Sequence, residues 1–458
     1  LHTKIQAIKD ILTSIQCQYA EVRFATGTGT TISLSGEQVD SFTSGHTTGG
    51  SVRILFDGAW GFYSFNDLNN IEEFIKKAHN LAKSSPSDEN RKIAQSESIE
   101  KSFIADFEKD FRTISLDEKF ALISKYNDIL KNSEFIQTTR ATYRDVSAHS
   151  YYLNSEGSVL EYDRLYTGIS LASIAKDGSV IQPFHDSISG YGGYEIVENQ
   201  ENRAEEVIKT AVDLLKAESP SGGNYNIITD QKLAGVFIHE AFGHLSEADF
   251  IHENESMKKI MVIGSEFGPK FLNVYDDGSI KGLSGYIPYD DEGILPKKTS
   301  LINKGILNGR LHSRETAAAM DEETTGNGRA INSMRNPIVR MSNTYIDNGP
   351  HSKEEIFDSV DDGIYAVDVI GGQTNLEMFT FTSGFGYEIK NGKKGKMFKD
   401  IVLSGNVFAT LKNISMIGND KEMFGGLGGC GKGGQSPLPV SFGGPHMLIN
   451  NVLVGGSQ

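Results

Sequence analysis

A run of turn formers, Ser219-Pro220-Ser221-Gly222-Gly223, splits the chain into two stretches that obey different patterns. It carries no apolar periodicity of its own, so a domain boundary is expected near residue 220. The two domains, 1–220 and 221–458, each fall close to the usual size of about 100–200 residues.

Before the boundary, helical and β-like patterns alternate. Residues 4–17 place Ile5, Ile8, Ile11, Leu12 and Ile15 at helical spacing. A second helix is expected over 66–84, with Ile71, Phe74, Ile75, Ala78 and Leu81 on one stripe, then a polar loop over 85–90. Further helices are expected over 116–130 and 202–217, the latter burying Ala204, Val207, Ile208, Ala211 and Leu215. Short alternating segments at 19–26, 30–35, 49–57 and 58–64 read as a small antiparallel sheet, and 135–143, 147–154 and 168–175 as further strands. The N-terminal part is therefore read as an α/β domain with a mixed sheet and helices.

After the boundary, a strand at 224–229 leads into a helix beginning at Asp230 or Gln231. From about residue 260 the chain is mostly short strands between Gly, Asn and Asp, such as 335–345, 379–386 and 399–411. The fold class expected is α+β, its C-terminal domain a β-rich antiparallel barrel or sandwich. The 49 glycines, which follow no collagen period, fit many turns and close backbone approaches.

A formal net charge of −16 argues against nucleic-acid binding, which needs a basic face to displace counterions. Two cysteines, Cys17 and Cys430, are too few for a disulfide framework. The first twenty residues carry Lys4, Lys9 and Asp10 and read as an amphipathic helix, not a signal peptide. Residue 1 is Leu, so trimming of a preceding leader stays open. No apolar run reaches 18 residues, so no membrane helix is expected, and a cytoplasmic setting is.

The sharpest motif is His239-Glu240-Ala241-Phe242-Gly243-His244. Two histidines with a glutamate directly after the first is the layout of a metallopeptidase helix. The imidazoles hold zinc, and the carboxylate takes a proton from the metal-bound water. The spacing is unusual, because five residues separate the side chains by roughly 140° on an ideal helix. A π-bulge brings them back together, and Gly243 makes it cheap, so an irregular turn is expected at residues 242–244. A catalytic zinc needs a third protein ligand. Glu247, Asp249, His252, Glu253 and Glu255 lie near, and Cys430 lies far off in Gly425-Gly426-Leu427-Gly428-Gly429-Cys430-Gly431-Lys432-Gly433-Gly434-Gln435. Gly426 to Lys432 imitates a phosphate-binding loop, but Gly433 stands where Ser or Thr is required, and that reading is rejected.

The His239-Glu240-x-x-x-His244 motif, followed by Cys430-Gly431-Lys432-x-Gly434-Gln435, resembles the TldD/PmbA family. Asp291-Glu292-Gly293, Arg314-Glu315-Thr316-Ala317, Arg340-Met341-Ser342-Asn343-Thr344-Tyr345, Thr382-Ser383-Gly384-Phe385-Gly386 and Asn451-Val452-Leu453-Val454-Gly455-Gly456 agree with it, over about residue 18 to the C-terminus. The resemblance implies a zinc peptidase with His239, His244 and Cys430 as ligands and Glu240 as catalytic base. It implies a site enclosed in a dimer, either a homodimer or a heterodimer with a TldE/PmbA-like subunit that lacks the ligands. It also implies roles in maturing peptide antibiotics and degrading an antitoxin, and an old label as a gyrase modulator.

The activity expected is cleavage of unfolded or extended peptides, bound by strand addition to the β-rich domain. The rivals are a non-catalytic zinc-containing scaffold or regulatory subunit that binds gyrase or another client, and a metal hydrolase acting on a non-peptide amide. Other features have plainer readings. Asp290-Asp291-Glu292 is a second metal or amine site, or a solvated acidic turn. Arg314 and Arg340 bind a peptide carboxylate or serve in salt bridges. Tyr286 and Tyr289 line a cleft or pack. His46, His79 and His446 are expected to be structural.

Overall fold

The computed structural model describes residues 2–85, 91–105, 107–375 and 377–455. The polar loop expected over 85–90 therefore lies, Ser85 apart, outside the described residues. Helix α1 (His2–Ser14) leads into strands β1 (Tyr19–Ser35), β2 (Gln38–Phe56) and β3 (Ala59–Phe65), then α2 (Ile71–Ser84) and β4 (Glu100–Phe103). Helix α3 (Leu116–Leu130) precedes the long strands β5 (Ile136–Asn154), β6 (Val159–Asp177) and β7 (Val180–Gly190), and α4 (Glu201–Leu214) follows. The sheet order is β3-β2-β1-β5-β6-β4, with β7 also on β6. All its pairs are antiparallel except β4 with β6, so the sheet is mixed.

The strands are longer than the sequence suggests. Gly27 and Gly29 read as a break, yet β1 runs straight through them, paired to Ala148 and Val146 of β5. Gly27 permits close approach there: a Cβ on it would sit 2.1 Å from the Ser147 carbonyl oxygen. Residues 38–48 of β2 are mostly exposed and polar, and so carry no alternation to read.

Both helix pairs cover one face of this sheet. Ile8 and Leu12 of α1 and Ile71, Ile75 and Ala78 of α2 pack on Val22, Val52, Ile54 and Leu153. Ile123, Tyr126 and Leu130 of α3 and Val207 of α4 pack on Ile32, Tyr143 and Ile169. Ser115 caps α3 through a reciprocal bond pair with Glu118. Leu81, expected on the buried stripe of α2, is instead 45% exposed, and Ala82 is buried.

The C-terminal half is β-rich. Strand β8 (Gly223–Thr229) sits inside a nine-stranded sheet, and a separate six-stranded sheet runs from Ile306–Leu307 to Glu422–Gly425. Each is mostly antiparallel with one parallel pair. Helix α5 (Gln231–Ile238) lies between them. Gly235 presses on the Gly443 backbone of the six-stranded sheet, where a Cβ would meet Gly443 N at 2.5 Å. On the other side Phe237 meets Phe379 and Phe381 edge-on. The strand expected over 399–411 stops at Asn406, whose side chain caps a short helix, Val407–Lys412. No helix among the described residues is long and apolar enough to cross a membrane.

The open face of the N-terminal sheet is closed by the C-terminal half through buried charge. Asp290, Asp291 and Glu292 are all buried, which corrects the reading of this acidic run as a solvated turn. Asp291 accepts from Arg23 at 3.0 Å and Arg164 at 2.8 Å. Arg53 bridges Glu21 at 3.0 Å and Glu292 at 2.7 Å, and stacks on Trp60. Asp290 accepts from the amides of Glu292, Ile294 and Gly328. Arg314, fully buried, pairs with Glu156 and stacks on Tyr19, the salt-bridge alternative. Substituting Arg53→Met leaves buried Glu292 without its cation and Glu21 with only the longer 3.8 Å contact to Arg23, and is expected to cost about 3–5 kcal/mol. The check is a urea unfolding midpoint; an unchanged midpoint would show that this web does not hold the halves together.

Candidate metal centre

Asp230 starts α5, its side chain accepting from Leu233 N. The helix then changes pitch. His239–Gly243 form a π turn, in which the His244 amide donates to the His239 carbonyl, and His244–Ser246 tighten into a 3₁₀ turn. An i→i+5 hydrogen bond stacks residues five apart, which solves the 140° problem of the motif. The two imidazole rings lie 5.4 Å apart at 80°. The irregular turn is present, beginning three residues earlier than expected.

Gly243 serves a different purpose from the one read from sequence. Its backbone is ordinary right-handed helix, φ −57° and ψ −51°. What it provides is room, because a Cβ there would fall 2.1 Å from the Met341 sulfur.

Cys430 reaches the same place from the far end of the chain. It opens a strand, Cys430–Lys432, that pairs with Gln435–Leu438 across a two-residue turn. Gly433 and Gly434 have φ of +57° and +72°, the left-handed values that such hairpin turns require. The segment expected as a glycine-ringed loop is therefore a β-hairpin, with no phosphate-binding helix after it. Buried Arg340 donates to the carbonyls of Cys430 at 2.6 Å and Gln435 at 3.2 Å. It anchors the hairpin, and among the described residues it forms no ion pair.

His239, His244 and Cys430 thus converge, one ligand atom of each lying within 4.8 Å of the others. Cys430 Sγ is 3.4 Å from His244 Nε2. His239 Nδ1 is buried without a hydrogen-bond partner. Glu240 stands beside the trio, its Oε2 3.8 Å from His244 Nε2 and its side chain 29% exposed. Burial works against a thiolate at Cys430, but hydrogen bonds and charge from His239 and His244 bring the thiol down to about 5. Burial likewise opposes charge on His244, while Cys430 and Glu247 raise it to about 11. A divalent cation held by His239, His244 and Cys430 would take the place of that imidazole proton as counter-charge to the thiolate.

Of the nearby acids weighed as third ligand, none joins the trio. Glu247 instead accepts from His244 Nδ1 at 3.0 Å, fixing which ring nitrogen faces inward. Burial raises Glu247, but His244 and Lys432 outweigh it and hold the carboxyl below its usual range. Lys432 Nζ lies 3.1 Å from Glu247 and 2.7 Å from Asp249. His252 and Glu253 lie on the short helix Ala248–Glu253 and Glu255 on the next, outside the cluster. Sequence reading gave Lys432 no role of its own, although it stands in the family motif around Cys430 as well as in the rejected phosphate-loop pattern. Tyr286 lines a cavity, whereas Tyr289 packs against Tyr152, Leu160 and Tyr162. His446 bonds Asp420 and Tyr365, His46 bonds two threonines, and His79 packs edge-on against Phe56, all structural roles.

Fold and site together define a two-part α+β protein with an imidazole–thiol trio, His239 and Cys430 buried and His244 half-buried, able to hold a metal. Its sequence matches PmbA/TldA metallopeptidase domain 1 over residues 20–82, the central domain over 109–217 and the C-terminal domain over 222–456. The chain belongs to the PmbA/TldD metallopeptidase family. It is 40% identical to a metalloprotease of Synechocystis sp. over 96% of this chain and 95% of that one. It is 35% identical to a metalloprotease of Methanothermobacter thermautotrophicus over 96% of each. The fold is that of TldE from Thermococcus kodakarensis, with a TM-score of 0.78 at 16% identity over 99% of this chain and 100% of the other.

Gly243→Ala is expected to push the π turn off Met341 and cost about 1–3 kcal/mol of stability by overpacking. On a Met341→Ala background, which carries its own cavity cost, the same Gly243→Ala change should cost little. Thermal unfolding of both single variants and the double variant checks this, and an equal cost of Gly243→Ala on both backgrounds would show that the Met341 contact is not the reason for glycine.

Proposed function

We propose that the chain is a zinc-dependent peptidase, with His239, His244 and Cys430 as its protein ligands and Glu240 as its general base. The observation that carries this reading is the convergent trio, with a partly exposed carboxylate beside it and outside it. A tetrahedral zinc, with bonds of about 2.3 Å to sulfur and about 2.0 Å to nitrogen, holds those two atoms roughly 3.5 Å apart. The 3.4 Å between Cys430 Sγ and His244 Nε2 fits. Imidazole and thiolate donors suit zinc. Three protein ligands leave one position free, the pattern of a catalytic site. A structural zinc in a non-catalytic scaffold calls for a fourth, and among the described residues no further His, Cys, Asp or Glu joins the cluster.

Zinc bound there supplies the Lewis acidity that polarises the peptide carbonyl and acidifies water. Glu240 takes the proton of the attacking water on a carboxylate oxygen and returns it to the departing amide nitrogen. Glu247, held by Lys432, keeps the His244 proton on Nδ1 and so leaves the Nε2 lone pair for the centre. The substrate is an unfolded or extended peptide. Strand Gly371–Asn375 lies against the π turn at the edge of the nine-stranded sheet, paired among the described residues with Met378–Thr382 alone, which supports capture by strand addition. The same reading includes a dimer, with a second copy or a TldE/PmbA-like subunit, as family membership supports. It includes a cytoplasmic setting, which the charge of −16 and two cysteines support.

The test is zinc content and peptide cleavage for wild type, Glu240→Gln, Cys430→Ser and Glu247→Gln. Glu240→Gln should keep zinc and lose cleavage by about 10²–10⁴-fold. Cys430→Ser should lose the metal, and Glu247→Gln should weaken its affinity by about 10–100-fold. Full cleavage by Glu240→Gln, or tight zinc in Cys430→Ser, would overturn the assignment. A substrate N-methylated at alternate backbone nitrogens should show a raised KM. An unchanged KM rules out strand addition.

A further inference from the structure

A second feature lies between the open face of the N-terminal sheet and the C-terminal half: a cavity of about 350 Å³, within the usual range for small-ligand sites. None of His239, Glu240, His244 and Cys430 lines it.

Strand register explains why the hollow exists. Cross-strand partners share a face of a sheet. Two successive rows across β2, β1 and β5 on this face are small: Gly49–Ala25–Ser150 and Thr47–Gly27–Ala148. Strand β6 ends these rows with Tyr162 and Arg164. Large side chains resume on either side, with Arg23 paired to Tyr152 and Val146 to Tyr166. The C-terminal half spans the gap without filling it, placing Tyr286, Arg329, Leu427 and Leu438 over it.

The cavity is apolar in its floor and cationic at its wall. Arg23, Arg144, Arg164 and Arg329 line it, against a single carboxylate, Asp291, already shared by Arg23 and Arg164. Arg164 Nε is buried with no hydrogen-bond partner. Among the described residues Arg329 has no ion pair, and its guanidinium donates to the carbonyls of Met341 and Pro439. Burial, with the charges of Arg340 and Arg164, outweighs Asp276 and Asp291 and brings it down to about 10. Arg164 has Asp291 as its counter-charge, but Arg329 beside it has none of its own, which favours an anion there, and arginine suits a carboxylate in particular.

We propose that this cavity binds the C-terminal residue of a peptide, its apolar side chain in the hollow of Ala25, Gly27 and Ala148 and its carboxylate against Arg164 and Arg329. Thr47 and Asn332, also on the lining, offer hydrogen-bonding groups to the amides that precede the carboxylate. Leu438 in the wall is the strand partner of Cys430, so the cavity and the candidate metal centre share one hairpin. The choice of a peptide as ligand rests on the peptidase reading, whereas the cavity and its charge do not.

The test is calorimetric titration of the full chain, carrying Glu240→Gln to prevent cleavage and stripped of metal with a chelator. The probes are Ala-Ala-Ala-Phe with a free carboxylate, the same peptide as its C-terminal amide, and octanoate. The free acid should bind about tenfold or more tightly than the amide. Arg164→Met should abolish that preference. Ala148→Leu fills the floor, leaves every charge in place, and should weaken the peptide acid about tenfold or more; thermal unfolding confirms that both variants fold. Equal affinity for acid and amide, indifference to Ala148→Leu, or no binding at all overturns the proposal. Octanoate binding as tightly as the peptide acid overturns the peptide as ligand. Zinc content and cleavage are recorded in parallel on chains without Glu240→Gln. Absent metal sinks the peptidase reading, while intact zinc and cleavage with no acid preference sink the cavity alone.

Discussion

The buried ion pairs of Asp291 with Arg23 and Arg164, and of Arg53 with Glu21 and Glu292, decide where the two halves of the molecule meet. One face of the N-terminal sheet is covered by its own helices. The opposite face carries Arg23 and Arg53, both buried, and Arg164, partly so, and each takes a carboxylate of the C-terminal half as counter-charge. Charges buried at such a junction add little over a well-packed apolar one, but they are costly to misplace. They therefore fix register more than they add stability. Once that register is set, the rows of small residues on the sheet cannot close, and the cavity follows.

A comparable division of labour operates at the candidate metal centre. Local chemistry supplies the donors, but their convergence depends on two backbone devices. The π turn brings residues five apart onto one side of α5, and the hairpin turn at Gly433–Gly434 presents Cys430 from the far end of the chain. Arg340 couples the two by holding the hairpin's carbonyls, and its neighbour Met341 packs against the π turn at Gly243. Lys432 links them again, since it leaves the hairpin to hold the carboxylate that orients His244.

Much of this was legible in the residues. The stripes of α2, α3 and α4 are apolar at helical spacing because each helix covers a sheet with one face only. The mismatch between a five-residue spacing and a 3.6-residue helix announced the π turn before any coordinates. Family motifs joined Cys430 to the histidines across 186 residues of sequence. What escaped was whatever depends on a partner far away in the chain. Gly27 looked like a strand break because its neighbour Ser147 is not visible locally. Asp290-Asp291-Glu292 looked like a solvated turn because the arginines that bury it lie more than a hundred residues upstream. Strand 399–411 was overextended because Asn406, a good helix cap, reads equally well as a loop residue.

By itself, then, the sequence determined the class of fold, the elements with strong periodicity, and the paired histidines of the candidate site, because those depend on residue type and spacing within a few turns of chain, while Cys430 was joined to them by family resemblance alone. Only the tertiary structure decided which acid orients His244, what Gly243 makes room for, where Arg340 and Lys432 act, and that the sheet's small residues enclose a cationic hollow. Each of these is set by contacts between segments remote in sequence, and no local pattern encodes which remote surface a side chain will meet.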